Sequence, residues 1–89
     1  MTIDYTTQIW REGNQYVAHA MPLDVMSSGP TPEAARASLS EAVRVFLITA
    51  ADIGTLDEVL DEAGYRFVDG RWTSPDWIAI EKQSAAVAV

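Results

Sequence analysis

Cysteine is missing from this chain. That excludes a disulfide framework and a cysteine-based zinc site, and it leaves the redox compartment open. Histidine occurs once, as His19, and one imidazole without thiols cannot build an ordinary structural zinc centre. No charged leader followed by a short apolar run opens the sequence, and no window approaches the ~20 apolar residues of a membrane span. The expectation is therefore a cytoplasmic protein without a visible address. Positive charge is scarce as well. Six Lys and Arg face 13 Asp and Glu, for a formal net charge of −7. Such a surface repels phosphate backbones, so direct nucleic-acid binding is disfavoured and a basic protein partner is favoured. Internal repeats and low-complexity segments are also absent.

What is present is enough for one domain, residues 1–89, near the size at which a core is thin and association with a partner often completes it. The opening "TIDYTTQIW" alternates with period two: Ile3, Tyr5, Thr7 and Ile9 share one face and Asp4, Thr6, Gln8 and Trp10 the other. Gly13 and Asn14 supply a tight turn, and "YVAHAM" reads as the antiparallel return strand. Pro22 interrupts the pairing, and "LDVMSS" reads as a short third strand, so residues 3–28 form a three-stranded meander.

A helix is predicted over 32–53. Thr31 stands at its N-cap, Pro32 at its first position and Glu33 in its first turn, and Ala35, Leu39, Ala42, Val43, Phe46 and Ala50 form one apolar stripe. A second helix is predicted over 55–63, with Thr55 and Glu58 spaced as a capping box and Gly64 as its stop. Asp69-Gly70 is the strongest hairpin signal in the chain, inside a β-like segment at 65–89. Strand-like Ile78 and Ile80 and the small apolar residues after them are expected to pair with the chain's own sheet or with a second subunit. The fold class is α+β.

The chemistry on offer is limited. "SSGPTPEAARASL" (27–39) has one glycine and two prolines that remove N–H donors, and its nearest base is Arg36; it reads as a corner from strand to helix, not a phosphate cradle. A metal-dependent nuclease needs carboxylates converging from several elements, whereas Asp57, Glu58, Asp61 and Glu62 crowd one short helix where water reaches them easily. Ser27, Ser28 and Ser38 lack a histidine–acid pairing in the sequence, so none reads as a nucleophile. Trp10, Trp72, Trp77, Tyr65 and Phe67 are expected mostly in the core or as its lid, with Trp10 and Trp77 as candidate interface anchors. His19 shares a strand face with Val17 and Met21 and reads as a packed or partner-facing imidazole.

The segments "YTTQIWREGNQYVAHAMPL" and "SSGPTPEAARASLSEAVRVFL" follow one another in an order and spacing that resembles the HicB-like antitoxin family, over residues 3 to 47. The resemblance implies a partial RNase H-like fold without the catalytic carboxylate set, a domain that binds and blocks a small, basic, RNA-cleaving toxin of the HicA type and associates with copies of itself. Two features depart from that pattern. Pro22-Leu23-Asp24-Val25 stands where the family has proline, glycine and cysteine, and residues 65–89 do not read as a ribbon-helix-helix or helix-turn-helix segment. An orphan oligomeric module without a toxin is the alternative. On either reading no catalytic residue, metal or cofactor is expected, and the candidate partner-binding residues are Trp10 and His19 on the sheet with Asp57, Glu58, Asp61 and Glu62 on the second helix.

Overall fold

A computed structural model describes residues 1–89. Strands β1 (Thr6–Glu12), β2 (Gln15–Met21) and β3 (Val25–Gly29) form an antiparallel sheet in that order. Helices α1 (Pro32–Asp52) and α2 (Leu56–Glu62) follow, and β4 (Arg66–Val68) and β5 (Arg71–Thr73) make a separate two-stranded sheet. The α+β class and the meander crossed by one long helix agree with the sequence pattern.

Local signals set most boundaries. The Thr31 hydroxyl accepts from the Ala34 amide at 3.0 Å with Pro32 behind it, so the helix starts where its cap stands. Ala35, Leu39, Val43 and Ala50 are buried along α1, and Ala35, Leu39 and Val43 pack on Ala18, Ala20, Leu23, Leu60 and Tyr65. Asp69 and Gly70 have φ of 52° and 75°, the left-handed pair that a two-residue hairpin turn requires.

Four expectations are corrected. The first strand begins at Thr6, not residue 3, because the register Thr6↔Met21 makes Pro22 the next partner, and proline has no N–H to continue the ladder. The third strand begins at Val25, since Leu23 and Asp24 belong to a turn in which Asp24 has φ 61° and its amide bonds the Ala20 carbonyl at 2.8 Å. The capping box at Thr55 does not form: ψ there is 6°, not extended as a capping residue requires, and its hydroxyl donates back to the Ala50 carbonyl at 3.4 Å. Residues 74–89 contain no strand; no neighbouring strand lies alongside them, and a strand exists only by pairing.

Tyr65, 2% exposed, ties the start of the chain to the end of α2 by donating its hydroxyl to the Asp4 carbonyl. Burial, with the negative charge of Asp4 second and of Tyr5 third, raises the Tyr65 phenol from 10.0 to about 12. The folded pKa lies above the unfolded one, so this group's contribution to stability is complete below pH 10 and is lost as pH rises toward 12. Ultraviolet titration is expected to show one late phenolate step near pH 12 that vanishes in Tyr65→Phe, at a cost of about 1 kcal/mol in urea unfolding for the lost hydrogen bond. A Tyr65→Phe titration that keeps the late step would refute the assignment.

Candidate functional site

The sequence-predicted residues fall into two groups on opposite sides of the sheet. Trp10 and His19 lie on the face that no helix covers. Alternation along β1 and β2 puts Thr6, Gln8 and Trp10 beside Val17, His19 and Met21, while Ala18 and Ala20 turn toward α1. On β3, Met26 sits opposite His19 and Ser28 opposite Val17. The rings of Trp10 and His19 meet edge to face at 6.4 Å, with Trp10 still 37% and Met26 54% exposed. This face mixes Trp10, Val17, Met21 and Met26 with Thr6, Gln8 and Ser28 around a central imidazole.

His19 is held at both nitrogens. Nε2 donates to Asp24 Oδ1 at 2.6 Å, and Nδ1 accepts from the Gln8 side-chain amide at 3.2 Å. Both contacts are met by one neutral tautomer, protonated at Nε2. No ring nitrogen is left to activate a nucleophile, and Ser27 Oγ is engaged with Ser38 Oγ at 2.6 Å. A hydrolytic triad is therefore not assembled here.

The second group surrounds an open cleft of about 540 Å³ lined by Met1, Asp57, Glu58, Asp61, Phe67 and Trp72. The acids come from one side of α2, and the facing wall is the β4–β5 hairpin, where Phe67 and Trp72 pack edge to face at 5.1 Å. Three of the four predicted acids thus converge; Glu62 lies outside the lining. Asp4 and Arg71 line an adjoining hollow that shares Met1, Phe67 and Trp72. No group of three His, Asp or Glu side chains is placed to hold a metal ion anywhere in the chain. The cleft offers carboxylates beside aromatic rings, a combination that suits a cationic side chain laid over a π-face.

The aromatic expectation is corrected here. Tyr65 is core and Trp72 half-buried, but Phe67 is 61% exposed; Trp10 and Trp77, set apart in the sequence as candidate anchors, face solvent. A hairpin of two three-residue strands packed outside the main sheet has too little backing to bury both faces.

Gln8, Asp24, Phe67 and Trp72 were not singled out as site residues by the sequence pattern, yet two of these contacts follow from turns that the sequence displays. A two-residue loop at Gly13-Asn14 pairs Glu12 with Gln15 and hence Gln8 with His19, and Asp69-Gly70 pairs Phe67 with Trp72. No such signal leads to Asp24, which reaches His19 through a turn specific to this fold. No family model, curated protein or solved structure matches this chain.

Proposed function

We propose that this chain is a non-enzymatic, protein-binding domain of HicB antitoxin type, which neutralises a small, basic, RNA-cleaving toxin. The observation that carries the reading is the cleft in which Asp57, Glu58 and Asp61 face Phe67 and Trp72. An arginine or lysine of a basic partner stacks there on an aromatic ring while its charge meets carboxylates, and the −7 net charge speeds the encounter. Trp10 and His19 supply a second contact on the opposite face.

Co-expressed with a basic toxin of HicA type encoded beside its own gene, the chain is expected to restore growth. The triple substitution Asp57→Asn, Glu58→Gln, Asp61→Asn is expected to weaken binding about tenfold and flatten its salt dependence, since exposed charges contribute roughly 0.2–1 kcal/mol each. Growth that stays arrested, or a triple variant that binds as tightly as the parent, would sink this reading. A self-associating module is the second reading, favoured by the fully exposed segment Asp76–Val89 with its strand-forming residues.

A further inference from the structure

Segment 76–89 is an arm without a place on its own body. Every residue from Asp76 to Val89 is exposed, with Ile78 at 93% and Ile80 at 60%. The radius of gyration is 15.5 Å, against about 12 Å for a compact chain of this length, and the long dimension is 47 Å. The arm projects. Its "WIAI" (77–80) is apolar on both faces, the composition of a strand covered on two sides. The strand 77–80 has no charged side chain of its own and is bounded by Asp76 on one side and by Glu81 and Lys82 on the other.

The body has a vacant position of matching character. The sheet ends at β3 on one side and β1 on the other, and no backbone hydrogen bond outside the sheet reaches either strand's outer edge. Strand β1 carries Arg11 and Glu12, charges of the kind that defend an edge, whereas β3 is Val-Met-Ser-Ser-Gly, without charge or proline. A strand laid along β3 finds an apolar side chain above and below. Met26 is exposed on the open face, and Val45 is half exposed on α1. Val45 lies seven residues after Ser38, on the same flank of the helix, and Ser38 is the residue whose hydroxyl meets Ser27 of β3.

We propose that two copies of this chain exchange arms, the Trp77–Ile80 strand of each pairing with the β3 edge of the other to make a closed two-fold dimer. Main-chain hydrogen bonds to the free edge hold the arm, and the alternate side chains of the arm fill the spaces beside Met26 and Val45. This deepens the self-association reading and does not depend on a toxin.

Light scattering at sub-millimolar concentration is expected to give twice the chain mass of 9.7 kDa for the unaltered protein. It is expected to give the single mass for Ile78→Asp/Ile80→Asp and for Met26→Lys/Ser28→Lys, all changes at exposed positions, with far-ultraviolet helicity retained. Mixing the two variants restores a dimer, because one keeps an intact edge and the other an intact arm. In the unaltered chain, amide exchange in β3 is expected to slow as concentration rises. A monomeric unaltered chain would overturn both the arm exchange and self-association. A dimer that survives the arm substitutions, or survives the β3 lysines, or shows no concentration-dependent protection of β3, would overturn the arm exchange and leave self-association standing by another surface.

Discussion

Gly29→Val is expected to destabilise the domain by about 3 kcal/mol or more. A Cβ at residue 29 sits 2.8 Å from the Ala34 carbonyl carbon and from the Ala35 amide nitrogen, and 2.9 Å from Ala34 Cβ. Two of these obstacles are backbone atoms in the first turn of α1, which cannot swing aside as a side chain does. Relief requires lifting the helix from the sheet. Overpacking of flexible cores costs about 1–3 kcal/mol, and against fixed backbone the cost lies at or above that range. The domain's whole stability is about 4–13 kcal/mol on a per-residue basis, so alanine here is expected to lower the urea midpoint and the larger valine to lower it further. Gly70→Ala is the control: its Cβ meets nothing within 4 Å, but φ of 75° is left-handed, so the expected loss is about 1–2 kcal/mol. Equal losses at the two sites would refute the close-approach account.

Leu60→Ala removes about 3–4 kcal/mol. Leu60 is fully buried against the cluster that contains Ala18, Leu39, Val43 and Tyr65, and it is the one buried residue of α2. Seven residues are too few for a helix to persist by propensity alone, so α2 exists because Leu60 anchors it. Loss of the anchor is expected to speed amide exchange throughout α2 and to disperse the acids of the cleft along with it. The paired variant Asp61→Ala changes an exposed neighbour on the same helix and is expected to alter stability by less than about 0.5 kcal/mol. If Leu60→Ala weakens partner binding while urea unfolding stays unchanged, the anchoring role is wrong.

Only the first of these substitutions falls in the strand-to-helix corner "SSGPTPEAARASL" (27–39). Its glycine serves the approach of helix to strand, and its prolines and threonine start α1 at the point where β3 ends. A phosphate cradle at this corner needs free amides pointing outward; here the Ala34 and Ala35 amides are already bonded to Thr31, at its hydroxyl and its carbonyl.

Much of this molecule was legible from residue order alone. Period-two alternation, the Gly13-Asn14 and Asp69-Gly70 turns, the Thr31-Pro32 helix start and the α1 stripe each act over a few residues, so sequence neighbours are sufficient to specify them. The register of both hairpins, and therefore the meeting of Gln8 with His19 and of Phe67 with Trp72, follows from turn length. Tertiary structure alone decided the rest: that Trp10 and His19 lie across the sheet from the acids, that Glu62 leaves the cleft its neighbours line, that Asp24 closes on His19, and that the arm finds no strand to pair with in its own body. Each of these depends on which distant segments come to lie side by side, and a pattern along the chain does not carry that distance.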